Sequence, residues 1–143
     1  MIAFPNGVRF TPDQSQIVVA DTRGVRLWAF QVTGDGNLAN RDAYYDAQVV
    51  PGQVDDGADG MTVDKEGRLY VCTHMGLQVF DQAGRVIAII NKPQNQWLAN
   101  ATFGGPNLEY LFVANGTHMY RRKTKTQGVL SWQAPITPTK PKL

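Results

Sequence analysis

The sequence predicts an all-β fold made of three successive β-propeller blades. Two observations carry this reading. The chain repeats itself three times with one order of elements, and each repeat is built of short runs rich in Val, Ile, Phe and Tyr, cut by Gly, Pro, Asp and Asn turns. A third agrees with them: no uninterrupted window carries apolar residues at the i, i+3, i+4, i+7 spacing of an amphipathic helix. A β-sandwich accounts for the strand lengths but not for the way each unit opens on a polar loop residue and ends on a Gly-led third strand.

The first unit opens with Asn6-Gly7-Val8-Arg9-Phe10, turns at Thr11-Pro12-Asp13, continues as Ile17-Val18-Val19-Ala20-Asp21, and follows with Gly24-Val25-Arg26-Leu27-Trp28-Ala29-Phe30. A turn at Gly34-Asp35-Gly36-Asn37 then leads to an outer strand within 41–50. The second unit is the most informative stretch: Ala58-Asp59-Gly60-Met61-Thr62-Val63-Asp64, a tight turn, Leu69-Tyr70-Val71-Cys72, then Gly76-Leu77-Gln78-Val79-Phe80 and Val86-Ile87-Ala88-Ile89-Ile90. The third runs from Ala99-Asn100-Ala101-Thr102-Phe103 through Leu111-Phe112-Val113-Ala114-Asn115 to His118-Met119-Tyr120-Arg121-Arg122. Four strands per blade are expected over about 1–50, 51–96 and 97–134. Residues 135–143 hold three prolines and read as a surface-hugging or loose tail.

At 143 residues, with 43% apolar and 18% charged residues, the composition is globular. The formal charge of +2 and pI near 8.8 owe much to Arg121, Arg122, Lys123, Lys125, Lys140 and Lys142, and no aromatic interleaving accompanies them. They read as a solvated face, with no nucleic-acid partner expected. The single Cys72 lies in an apolar run, against a disulfide framework or a thiolate zinc site. No apolar run approaches the ~18 residues of a membrane span, and the start has no leader pattern. A cytoplasmic protein is expected, or a periplasmic or secreted one if a leader was removed. Covalent catalysis is not indicated, since no Ser-His-Asp order, phosphate-cradling Gly loop or Cys-His cluster has workable spacing.

Asp59-Gly60 and Asn6-Gly7 each lie four residues before an apolar anchor, Val63 and Phe10, so the two polar groups occupy equivalent places in neighbouring blades. Hard oxygens at such places suit a cation, while Asn and Asp also bond backbone in loops entering strands. Asn100 precedes Phe103 by three, so Ala99 takes the equivalent place and Asn100 falls one beyond it. Asp55 and Asp56 read as solvated loop carboxylates, with Asp56 a candidate at the channel mouth. His74 and His118 sit at matching blade turns, and His74 is kept as a candidate lining residue. Asp21, Thr22 and Asp81 are expected to stabilise turns, and Trp28, Trp97 and Trp132 to pack between blades, with a platform for a sugar ring as the alternative.

Four stretches together resemble the C-terminal half of the SMP-30/gluconolactonase/luciferin-regenerating family of six-bladed propellers. They are Pro5–Asp13 with Val19–Thr22, Ala58–Asp64 with Gly67–Val71, Asn100–Pro106, and Met119–Arg122. The resemblance implies a metal-dependent hydrolase of a sugar or related lactone, with Asn6 and Asp59 as metal ligands and Asp59 also as catalytic general base. It implies one divalent metal, calcium first, with magnesium, manganese or zinc as alternatives. Asn100, Asp56 and His74 are the candidate substrate-lining residues. The family draws a metal-binding Glu and a further substrate-side Asn from its N-terminal half, which has no counterpart in this chain. Closure of the ring by a homodimer is therefore expected. The alternative is a non-catalytic or inactive half-propeller module, or a fragment of a longer lactonase.

Overall fold

A computed structural model describes residues 1–140; Pro141, Lys142 and Leu143, the end of the expected Pro-rich tail, lie outside the described residues. Among the described residues, eleven strands form three antiparallel sheets, each joined to the next by a loop. The first sheet holds β1 (Pro5–Phe10), β2 (Gln16–Asp21), β3 (Arg26–Val32) and β4 (Leu38–Asp46) in chain order. The second holds β5 (Met61–Val63), β6 (Leu69–Thr73), β7 (Gly76–Phe80) and β8 (Val86–Ile90). The third holds β9 (Leu98–Gly104), β10 (Tyr110–Asn115) and β11 (His118–Lys123). This is a partial β-propeller, and among the described residues no helix is long and apolar enough to cross a membrane.

The third sheet has three strands where four were expected. After Lys123 the chain leaves the sheet: the Thr124 amide and hydroxyl both donate to the Glu109 carbonyl at 2.8 and 2.9 Å, which ends the ladder. The chain then crosses beneath all three sheets. Gly128 bridges Asp64, Val129 N–H donates to the Val63 carbonyl at 3.2 Å, and Ile136 N–H donates to the Pro12 carbonyl at 2.8 Å. Gln14 holds the carbonyls of Ser131 and Gln133, and Gln82 holds that of Thr139. As far as it is described, the Pro-rich tail hugs the surface.

Hairpin turns at that end share one device. Asp64 Oδ1 accepts the amides of Glu66 and Arg68 at 3.0 Å, and Oδ2 accepts Arg68 Nε at 2.7 Å and the Tyr70 hydroxyl at 3.0 Å. Asp81 repeats it with the amides of Ala83 and Arg85 and with Arg85 Nε. An Asp-x-x-Gly-Arg string thus closes both outer hairpins of the middle blade, because a short carboxylate mimics the backbone acceptor of the turn.

Two apolar layers join the sheets. Val18, Ala20, Leu27, Ala29 and Tyr45 of the first sheet meet Met61, Leu69, Val71 and Phe80 of the second, with Tyr45 edge-on to Phe80 at 5.6 Å. The other face of the second sheet, with Tyr70, Cys72, Leu77 and Val79, meets Leu98, Ala101, Phe103 and Leu111, with Tyr70 edge-on to Phe103 at 5.3 Å. The middle blade is covered on both faces, which is why all five residues of β6 and all five of β7 are buried. Burial pushes the Cys72 thiol up to about 12, as expected of an inert core thiol.

The flanking sheets each keep one open face. On the first, Val8 pairs with Val19 and Val19 with Trp28, while Phe10 pairs with Ile17 and Ile17 with Phe30, so six apolar side chains share the face away from the core. On the third, Phe112 pairs with Thr102 and Arg121, and Ala114 with Asn100 and Met119. Val8 and Met119 are 57% and 67% exposed. Trp28 lies on the first open face beneath Arg41, whose guanidinium is 5.0 Å from its ring, and Trp132 is 80% exposed. Neither packs between the three described sheets: Trp28 is on the face of β3 turned away from the second sheet, and Trp132 lies beyond the last strand.

Candidate functional site

The first strands of the three sheets, β1, β5 and β9, approach one another through glycine. A Cβ on Gly7 would overlap the carbonyl of Asp59, and one on Gly60 would overlap the Asn100 side chain and lie 2.7 Å from its Cα. Gly60 N–H also donates to the Ala99 carbonyl at 2.9 Å. The registers keep the expected one-residue offset: counted from the hairpin turns, Asn100, paired with Ala114, stands level with Gly60, and Ala99 stands level with Asp59. Asn6 and Asp59 lie at the end of the sheets that carries the β2–β3, β6–β7 and β10–β11 turns, and Asn100 lies one residue further along its own strand, against Gly60. The strap of residues 124–139 crosses the opposite end.

Asp59 is half-buried and continues the β5–β6 ladder, its amide donating to the Cys72 carbonyl at 2.9 Å. Trp97 Nε1–H donates to Asp59 Oδ2 at 2.7 Å, leaving Oδ1 unengaged among the described residues. Asn6 is exposed; its Nδ2 donates to Thr22 Oγ1 at 3.2 Å, and that hydroxyl donates to the Ala58 carbonyl at 2.7 Å. Two steps of hydrogen bonding thus tie the amide on the first sheet to the residue preceding the carboxylate on the second. Asp21, beside Thr22, is buried and accepts the amides of Ala3 and Phe4, which seats the chain leading into β1.

Asp56 does not line the opening; it is fully buried, contrary to the expectation of a solvated loop carboxylate. Its amide donates to the Gly24 carbonyl, its carbonyl accepts from His74 N–H, and Oδ1 accepts the Ala58 amide at 2.7 Å. Oδ2 has no partner among the described residues. Burial pushes this carboxyl up to about 7; the Ala58 amide opposes the shift, while Asp55 and Asp21 add to it. Asp56 is the internal brace of the loop that presents Asp59. The sequence hides this, because a loop residue is drawn inside only when three backbone segments close around it.

His74 is at the site, with Nε2 3.1 Å from Asp55 Oδ1 and its ring edge-on to Trp97 at 5.0 Å. His118, its counterpart in the third blade, is exposed beside Gln94 and Thr117. Trp97, expected to pack between blades, instead stands at this site. It is 44% exposed rather than packed between blades, and the loop before β9 carries it. Periodicity gives no signal for a loop aromatic; what fixes this one is buried Asn115, whose Nδ2 donates to the carbonyls of Gln96 and Trp97.

Asn6 and Asp59 are hard oxygen donors on adjoining strands, the chemistry that calcium or magnesium takes. Among the described residues, no three His, Cys, Asp or Glu side chains converge as a metal-binding group. The donor set fits in kind and is incomplete in number, since hard cations take six or more oxygens.

A partial propeller with paired oxygen donors at one end of its inner strands defines the class of protein. Residues 1–117 match the SMP-30/Gluconolactonase/LRE-like region, and the chain belongs to that family. It is 28% identical to a gluconolactonase of Zymomonas mobilis over 87% of this chain and 36% of that one. Among solved structures, it superposes on a gluconolactonase of Xanthomonas campestris with a TM-score of 0.68 and 31% identity, over 82% of this chain and 36% of that one. Regucalcin of Agrobacterium tumefaciens, described as a calcium-binding protein, shares the fold with a TM-score of 0.75 at 21% identity, over 94% of this chain and 50% of that one. The chain spans between 30% and 48% of the length of relatives it matches.

Proposed function

We propose that this chain carries one half of the site of a metal-dependent lactonase, acting on a sugar lactone or a related lactone. The observation that carries the reading is the placement of Asn6 and Asp59 across Gly7, with Asp59 Oδ1 unengaged. The gluconolactonases named among its relatives support it. Asn6 Oδ1 and Asp59 would hold a divalent cation, calcium being the best match to two neutral or anionic oxygens on a backbone that contributes its own carbonyls. Such a cation polarises a lactone carbonyl and acidifies water beside it. Asp59 takes the proton of the attacking water as its oxygen bonds to the carbonyl carbon; the ring C–O bond then breaks and the proton passes to the departing alkoxide. Asn100, against Gly60, is placed to meet a substrate hydroxyl.

The remaining ligands come from outside these residues in this reading. A second copy related by a two-fold axis would cover the open faces of the first and third sheets and close a ring of six blades around the donors. Light scattering on the purified chain is expected to give twice 15.8 kDa. A stable monomer would rule out closure by a second copy and favour a longer lactonase as the working unit. Hydrolysis of gluconolactone that needs calcium and is lost in Asp59→Ala tests the reaction itself. Failure of the wild type to turn over any of a panel of sugar lactones, in calcium, magnesium, manganese or zinc, would overturn it.

A further inference from the structure

We infer that Trp97 serves the site in two ways: its indole N–H positions Asp59, and its open ring face is the platform on which a carbohydrate ring lies. The inference rests on the lactonase reading for its substrate and on the geometry of Trp97 for its residue.

The positioning role follows from one contact. Trp97 Nε1–H reaches Asp59 Oδ2 at 2.7 Å, the length of a strong hydrogen bond to a charged oxygen. An indole donates and cannot accept, so it holds one carboxylate oxygen and leaves the other unengaged among the described residues. The donor belongs to a different sheet from the acceptor. It is also rigidly mounted: the Trp97 carbonyl accepts from Asn115 Nδ2 at 3.0 Å and from Gly116 N–H at 2.8 Å. Asn115 is fully buried and also accepts the Gln94 amide at 2.7 Å, so one core side chain pins the whole loop.

The platform role follows from what covers the indole. His74 packs edge-on at 5.0 Å with a 79° interplanar angle, and its own ring is tied to Asp55, yet Trp97 remains 44% exposed. A large apolar surface left open beside a carboxylate suits a ligand with hydroxyls on its rim and C–H bonds on its face. A sugar-derived ring has that form; an aliphatic lactone lacks the rim hydroxyls that Asn6 and Asn100 would meet.

The 143-residue chain contains three tryptophans, hence three indole N–H signals in a proton–nitrogen correlation spectrum. Trp97→Phe identifies the Trp97 signal by its loss. Asp59→Ala is expected to move that signal while the other two stay in place, which also reports that the fold is intact. Methyl glucoside, a hydroxylated ring with no lactone bond, is expected to move it as well. An Asp59→Ala spectrum with the Trp97 signal unmoved overturns the positioning role, and saturating methyl glucoside without effect overturns the platform. In turnover, Trp97→Phe keeps an aromatic face and loses the donor, so kcat falls about ten-fold with KM little changed. Trp97→Leu loses both, and KM rises as well; identical behaviour of the two variants refutes the division of roles. Absence of turnover in a wild type whose Trp97 signal still answers to Asp59→Ala and to methyl glucoside overturns the reaction and leaves the Trp97 assignment standing.

Discussion

Thr22 and Ala58 lie on different sheets, and the hydroxyl of the first donates to the carbonyl of the second at 2.7 Å. The same hydroxyl accepts Asn6 Nδ2, so Thr22 sets the spacing between the two proposed cation ligands. Thr22→Val keeps the shape and removes both bonds. It is expected to cost about 1 kcal/mol in denaturant unfolding and to weaken calcium binding several-fold in calorimetry. Unchanged calcium affinity would show that Asn6 and Asp59 do not act as a pair.

Calcium should stabilise the chain if Asn6 and Asp59 hold it. At a hundred-fold excess over Kd the gain is about 2.7 kcal/mol, a melting shift of several degrees that a chelator reverses. Asp59→Ala is expected to abolish that shift. A wild-type melting temperature indifferent to calcium would count against the site in the isolated chain.

The close approach of β5 and β9 leaves no room at Gly60. Gly60→Ala places a carbon against the Asn100 backbone and is expected to destabilise by about 1–3 kcal/mol. Gly34→Ala, where an added Cβ meets nothing within 4 Å, serves as the control and should stay within about 0.5 kcal/mol of wild type. Equal stabilities of the two variants would mean that the inner strands are not in contact as described.

Asp56 makes stability depend on pH in a set direction. Its carboxyl titrates near 7 in the folded chain against 3.8 ordinarily, so the folded state keeps the proton where the unfolded state has lost it. The stability linked to Asp56 is complete below about pH 4 and drains away as pH rises to about 7. Asparagine keeps the Oδ1 acceptor for the Ala58 amide and never ionises. Asp56→Asn is therefore expected to melt above wild type at pH 8, by about 2–4 kcal/mol, with the gap closing toward pH 4. A constant gap across that range would show that Asp56 is not the titrating group.

The pairing of Asn6-Gly7 with Asp59-Gly60 was legible because both the ligand type and the close backbone approach are written in adjacent residues. The sequence offset that set Asn100 apart persists in the ladders, where Asn100 stands level with Gly60 rather than with Asp59; what only folding shows is that its side chain lies directly against Gly60. His74 and Asp56 show the opposite limit. Both were candidates from their positions, yet one stands at the opening and the other is sealed inside, because the Gly24 carbonyl and the Ala58 amide close around Asp56.

The strands and the three-unit rhythm follow from the sequence alone, because period-two apolar patterns and turn residues act over a few neighbours; the family follows from a resemblance over four stretches of it. Asn6 and Asp59 as hard donors at equivalent places follow from the sequence as well. The tertiary structure alone decided that the third sheet stops at three strands, with its following residues strapped beneath all three sheets. It alone brought Trp97 to Asp59 across 38 residues of chain. A contact of that separation depends on how two blades pack and on one buried asparagine holding a loop, neither of which local periodicity encodes.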